Sequence, residues 1–201
     1  MIHPYTYLAL GDSYTIGESV PLTQSFPYQV VQSLRQQGHS FSAPEIFAKT
    51  GWTTDELWAA ISAYHFLPKY SFVSLLIGVN NQYRGRSVEE YTTDFEKLLE
   101  KAISLAEKKS HVIVLSIPDY GVTPFAKEKE PEKIAKEIDI YNGINKALSI
   151  QYKVQYAEIT EGSRAAAHEP DLIAEDGLHP SGKEYHKWSK KVVSIITEQL
   201  H

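Results

Sequence analysis

Ser13 follows closely on an apolar run, in "YTYLALGDSYTIGE" (residues 5–18). A serine hydroxyl is a weak nucleophile until a base takes its proton. A base and a carboxylate to orient it occur together much later, in "EDGLHPSGKEYHKW", where Asp176 precedes His179 by three residues. Residues three apart on one turn are neighbours, with Cβ atoms about 5–6 Å apart. One tight turn can therefore carry both, and Gly177 between them supports such a turn. Two further places offer donors to a developing oxyanion. Gly51, in "AKTGWTTDE", lets a backbone N–H come close to a ligand, just before a helix N-terminus that favours negative charge. Asn80, in "LLIGVNNQYRG", carries a side-chain amide, and one such donor is worth about 3 kcal/mol in a transition state. A nucleophile, a base, an orienting acid and two donors are the parts of acyl transfer through a serine. Each residue also has a plainer reading. Gly11, Asp12 and Ser13 are turn formers, Gly51 a loop glycine, Asn80 a turn cap and His179 a surface histidine.

These residues can act together only if the fold gathers them. Five apolar runs read as strands: Tyr5–Leu10, Phe41–Ala48 (interrupted by Pro44), Ser71–Ile77, His111–Ile117 and Lys153–Glu158. The third and fourth are near-continuous, which suits strands buried on both faces of a parallel sheet. Helical patterns fill the intervals. "QSFPYQVVQSLRQQG" stops on Gly38, "TTDELWAAISAY" opens on good N-terminal residues, and Ser87 with Glu90 forms a capping-box pattern. A fourth helix runs from Pro131 with a stripe of Ile134, Ile138, Tyr141, Ile144, Ala147 and Leu148, and a fifth starts at Pro180. Strand and helix alternate to the end, which predicts a doubly wound α/β domain spanning 1–201 with a mostly parallel sheet. Such sheets place their sites outside the carboxyl ends of the strands. The segments there are 11–17, 49–54, 78–86, 117–131 and 159–180, and Ser13, Gly51, Asn80 and His179 fall in four of them. Among the other histidines, His186 sits inside the last helix, and His3, His39, His65 and His111 flank helices or strands. His168 shares the final loop and is the one rival to His179. Arg84 reads as a surface arginine.

Bulk properties narrow the field. A formal net charge of -5 argues against a nucleic-acid binder, and the lysines near 127–136 alternate with glutamates as on a solvated face. With no cysteine there is no disulfide, thiolate nucleophile or cysteine-held zinc. No run approaches the ~18 apolar residues of a membrane span. No basic segment followed by a long apolar stretch opens the sequence, and the expectation is a cytoplasmic protein.

The chain resembles the SGNH, or GDSL, serine hydrolases. "ALGDSYTIGE" is similar to the first block of that family through Ser13, "TGWTT" to the second through Gly51, "IGVNN" to the third through Gly78 and Asn80, and "DGLHPSG" to the last through Asp176 and His179. The blocks run from residue 8 to 182 in family order and spacing. The resemblance implies a three-layer α/β/α, flavodoxin-like fold with about five parallel strands. It implies a triad of Ser13, Asp176 and His179, an oxyanion hole of the Ser13 and Gly51 N–H groups with the Asn80 side chain, and no metal or organic cofactor. Asp12 braces the turn. The third block is commonly Gly-x-Asn-Asp, and here Asn81 replaces the aspartate. Asn81, Tyr120 and Phe125 are candidates for substrate contact, the last two from a segment (116–126) that resembles a substrate-side loop. Trp52 and Trp58 could stack on a sugar, though core packing is the simpler reading of Trp58. The expected substrate is a small ester, acetyl or short acyl on a sugar first, with lysophospholipid or thioester as alternatives. A non-catalytic flavodoxin-like module holding a phosphate at "GDSYTIG" is the competing class, but it has no use for the Asp176–His179 pair.

Overall fold

The computed structural model describes residues 4–200, so His3 lies outside the described residues. Five strands, β1 (Tyr7–Gly11), β2 (Glu45–Ala48), β3 (Phe72–Leu76), β4 (Val112–Leu115) and β5 (Gln155–Ala157), form a parallel sheet in the order β2-β1-β3-β4-β5. Every residue of β1, β3 and β4 is buried, which is why their sequences run apolar without alternation. β2 is shorter than the apolar run suggests, because Pro44 has no N–H to give a ladder. Phe41, ahead of that proline, makes only an isolated parallel bridge to Tyr5.

Gly11 pairs with Ala48 on one side and Leu76 on the other, so three strands finish level at their carboxyl ends. A Cβ at Gly11 would sit 2.3 Å from the Leu76 carbonyl oxygen and 2.1 Å from Thr15 Oγ1. Only glycine lets the chain leave β1 this close to β3. The chain runs from β1 outward to β2, then crosses back to β3. That reversal opens a crevice between the ends of β1 and β3, the place where doubly wound sheets hold ligands.

Among the described residues, eight α-helices connect or follow the strands: α1 (Ser13–Ile16), α2 (Phe26–Gln36), α3 (Thr54–Ser62), α4 (Val79–Tyr83), α5 (Val88–Leu105), α6 (Pro131–Tyr152), α7 (Thr160–Ser163) and α8 (Gly182–Gln199). α2 packs on α8, while α3, α5 and α6 pack in succession, giving the helical layers of an α/β/α sandwich. Ser87 caps α5, but the Glu90 carboxylate turns to Arg86 instead of closing the predicted box. Ser87 Oγ accepts the Glu90 N–H at 3.1 Å, and Thr53 with Glu56 closes a capping box at the start of α3. The last helix begins later than its proline suggests. Pro180 is held in an antiparallel bridge to Ile173, and Ser181 is the N-cap that starts α8 at Gly182. No helix of the described residues is long and apolar enough to cross a membrane.

Two side chains depart from the predicted packing. Ala147 is exposed, and α6 instead buries Asn142, Asn145 and Ser149. All three make hydrogen bonds that offset their burial, although Asn145 Nδ2 has no partner among the described residues. Asn142 accepts from the Ile117 N–H at 2.7 Å and donates to the Ile117 carbonyl at 3.0 Å, fixing the chain just past β4. Asn145 Oδ1 accepts the Tyr91 hydroxyl at 2.7 Å. Trp58, read as core, lies on the outer side of α3 and is 38% exposed.

Candidate active site

Ser13 is the first residue of α1, directly above the end of β1. Its N–H stands in the first turn of that helix and has no intrahelical acceptor. Asp12 is the N-cap and accepts the Tyr14 N–H at 3.0 Å, so it braces the turn that presents Ser13. Burial pushes the Asp12 carboxyl up to about 7, in spite of that hydrogen bond.

A cavity of about 140 Å³ opens at the β1–β3 crevice. Ser13, Asn80 and His179 share its walls with Tyr14, Val79 and Leu178, and Tyr83, Tyr120 and Phe125 complete it. Three of the predicted site residues, from three different strand ends, therefore meet in one small space. His168 is exposed and does not wall it.

Asp176 and His179 share a tight turn rather than a helix. His179 Nδ1 lies 2.5 Å from Asp176 Oδ2. An ionised carboxylate only accepts, so the ring proton is assigned to Nδ1 and Nε2 keeps its lone pair. The other carboxylate oxygen, Oδ1, accepts the backbone N–H groups of Leu178 and His179, each at 2.9 Å. Ser19 Oγ donates to Oδ2 at 2.7 Å. Burial alone would raise the Asp176 carboxyl, but the hydrogen bonds from His179, Ser19 and the two backbone N–H groups outweigh it. They hold Asp176 well below the usual carboxylate range, so it is ionised at any pH where the fold is at work. The ring of Tyr14 meets His179 edge-on, with centroids 5.5 Å apart, and limits its rotation. The turn itself is tied down twice. Ala174 N–H donates to the His179 carbonyl at 2.7 Å, and Phe125 N–H donates to the Gly177 carbonyl at 3.0 Å.

Gly51 does not wall the cavity, but it is coupled to residues that do. Its φ of +84° is the left-handed region that glycine enters freely. Its carbonyl accepts from Arg84 Nη2 at 2.6 Å, and Arg84 also reaches Glu56 at 3.1 Å. Arg84, read from sequence as a surface residue, thus fixes the Gly51 loop. Asn80 Nδ2 donates to the Trp52 carbonyl at 3.0 Å, which ties α4 to the residue after Gly51 and leaves a second amide hydrogen uncommitted.

Of the three candidates for substrate contact, Tyr120 and Phe125 reach the cavity. Asn81 does not. It is 1% exposed and turned onto Thr54, whose N–H it accepts at 3.0 Å and whose hydroxyl it meets at 2.7 Å. Asn81 is a brace between α3 and α4, out of reach of a ligand. Ser19 was missed because no sequence pattern links it to an aspartate 157 residues away.

Comparison with known proteins agrees with this architecture. TesA has a TM-score of 0.77 at 19% identity, over 97% of this chain and 99% of that one. A lipase/acylhydrolase from Enterococcus faecalis scores 0.78 at 17% identity, over 98% and 97%. Axe2, an acetylxylan esterase from Geobacillus stearothermophilus, scores 0.73 at 18% identity, over 96% and 94%. At these identities the likeness establishes a shared fold. No curated relative matches the chain by sequence. The sequence model of the GDSL-like lipase/acylhydrolase family, however, matches residues 9–187, from the middle of β1 well into α8, and so takes in every site residue described above. The chain belongs to that family and is a carboxylic ester hydrolase.

Proposed function

We propose that this protein hydrolyses short acyl esters, acetyl esters first, through a covalent acyl-serine. The observation that carries the reading is the pairing of His179 Nδ1 with Asp176 while the same ring walls a cavity with Ser13 and Asn80. Ser13 Oγ attacks the carbonyl carbon and His179 Nε2 takes its proton. Asp176 orients the ring and stabilises the imidazolium. The negative charge on the carbonyl oxygen is met by the N–H groups of Ser13 and Gly51 and by the free amide hydrogen of Asn80. The tetrahedral intermediate collapses, and the alcohol leaves with the proton that His179 returns. Water, activated by the same ring, then attacks the acyl-serine and frees the acid.

The acyl length follows from space. A cavity of about 140 Å³ is far below the roughly 300–1,000 Å³ of pockets that enclose drug-sized ligands. Tyr120 and Phe125 stand across it, which suits a small acyl group better than a long chain. The structural neighbour described as an acetylxylan esterase supports acetyl as the first substrate to try. The test is Ser13→Ala. Turnover of p-nitrophenyl acetate and labelling by a fluorophosphonate should both vanish, with circular dichroism unchanged. Wild-type rates in that variant would end the proposal.

A further inference from the structure

Ser19 makes a contact to Asp176 that an oriented histidine does not by itself require. Its hydroxyl donates to Oδ2 at 2.7 Å, the same oxygen that faces His179 Nδ1 at 2.5 Å. Two donors therefore draw on the charge of one oxygen, while Oδ1 is taken by backbone N–H groups. The backbone of Ser19 points the same way. Its φ is +63°, and among the described residues only Lys153 shares a positive φ without being glycine. Lys153 caps the end of α6, where left-handed residues are routine. Ser19 lies beyond the glycine that already caps α1. Glycine would take this conformation without strain. What serine adds is a hydroxyl, and that hydroxyl is on Asp176.

We propose that Ser19 is a positioning residue, pinning Asp176 Oδ2 beside His179 Nδ1 and moderating the charge that the carboxylate offers the ring. The proposal rests on the acyl-transfer reading of the site. Without Ser19, Oδ2 serves His179 alone. The Nδ1–H···Oδ2 bond strengthens, the imidazolium becomes easier to form, and the base is protonated at higher pH. The carboxylate, with one tether fewer, holds the ring less firmly.

Ser19→Gly and Ser19→Ala both remove the hydroxyl, but only alanine keeps a side chain in the left-handed region. Proton NMR in water reads the His179 Nδ1–H line, assigned by its loss in His179→Gln, whether or not an ester is turned over. The expected result is a downfield displacement of that line in both variants. The acid limb of kcat/KM for p-nitrophenyl acetate should move to higher pH in both, with kcat lower by about three- to tenfold, the worth of one such hydrogen bond. Tyr14, Tyr83, Tyr120, Asp119 and Glu184 are the other titratable side chains lining the two cavities that meet at His179, and neither variant alters them. A line and limb at their wild-type positions in both variants, as when water takes the place of the hydroxyl, would overturn the proposal. So would displacement in Ser19→Ala alone, which reports backbone strain. A wild-type protein inert toward esters would sink the acyl-transfer reading instead, and the NMR comparison would still decide the role of Ser19.

Discussion

Asn81 and Thr54 hydrogen-bond to each other twice, N–H to Oδ1 at 3.0 Å and Nδ2 to Oγ1 at 2.7 Å, with both residues buried. The pair joins the first residue of α3 to α4, so the Gly51 loop and Asn80 are held on one frame. An aspartate at 81 could keep both bonds, because the Thr54 hydroxyl can turn from acceptor to donor. Asn81→Asp should therefore leave esterase activity close to wild type. Asn81→Ala strands the Thr54 hydroxyl and N–H in a dry site, at about 1–3 kcal/mol. Urea unfolding of the two variants checks the contrast. Equal stability in Asn81→Ala and wild type would show that the pair is dispensable.

Asn80 has one amide hydrogen on the Trp52 carbonyl and one left for a substrate oxygen. Loss of a single oxyanion donor costs about a hundred- to a thousandfold in kcat. Asn80→Ala should show that drop with KM little changed, since the donor acts on charge that appears only in the transition state. Asn80→Asp should be at least as slow, because its carboxylate opposes that charge. Steady-state kinetics on p-nitrophenyl acetate separates the two constants, and a change confined to KM would remove Asn80 from the proposed hole.

The parallel sheet was legible because β3 and β4 are apolar at every position but Ser74, a pattern that few other settings produce. That Ser13, Asn80 and His179 share one cavity was legible because all three follow strand ends of a doubly wound sheet, which converge on one crevice. The misses have a common cause. Asn81 and Ser19 are defined by partners 27 and 157 residues away, and hydrogen bonds of that range leave no local period. The direction in which Asn81 points depends on where α3 begins relative to α4, which follows from packing and not from the tetrapeptide around it. Likewise Asn142 interrupts an apolar stripe for the sake of two bonds to Ile117.

Asp12 gives the protein an acid-favoured stability that can be measured. With its carboxyl pushed up to about 7 by burial, the folded chain keeps a proton that the unfolded chain loses near pH 4. The unfolded state then binds fewer protons than the folded one, so stability falls as pH rises from about 4 to about 7 and levels off above. Asp176 works in the opposite sense, but its contribution is complete above about pH 4 and is constant over this window. Asp12→Asn keeps an acceptor for the Tyr14 N–H and removes the titration. Between pH 5 and 7.5 the wild type should lose on the order of 2–3 kcal/mol more than the variant does. Parallel pH profiles in urea unfolding would show that Asp12 is ionised well below neutrality in the folded state.

The outer wall of the cavity sets the last prediction. Tyr120 is buried behind it, whereas Tyr83 and Phe125 are 51% and 42% exposed and form its rim. Lys129 Nζ lies 5.1 Å from the Tyr83 ring centroid and 4.9 Å from that of Phe125, so one cation holds both rings in place. An acyl chain longer than about four carbons must displace this rim, and each methylene gained in an apolar pocket is worth only about 1 kcal/mol. In a series of p-nitrophenyl esters from C2 to C12, kcat/KM should peak at C2 to C4 and fall by C8. Phe125→Ala removes one side of the rim and half of the seat for Lys129. The ratio of C8 to C2 activity should then rise by about tenfold, chiefly through the longer ester, within the range that pocket contacts of this kind command. A wild-type optimum at C8 or beyond would mean that the acyl chain lies elsewhere, along the adjoining hollow bounded by Tyr83, Lys129 and Lys133. In that case Phe125→Ala would leave the ratio of C8 to C2 activity unchanged, because the rim would not be what limits chain length, and the backbone N–H of residue 125 would still hold the His179 turn through the Gly177 carbonyl.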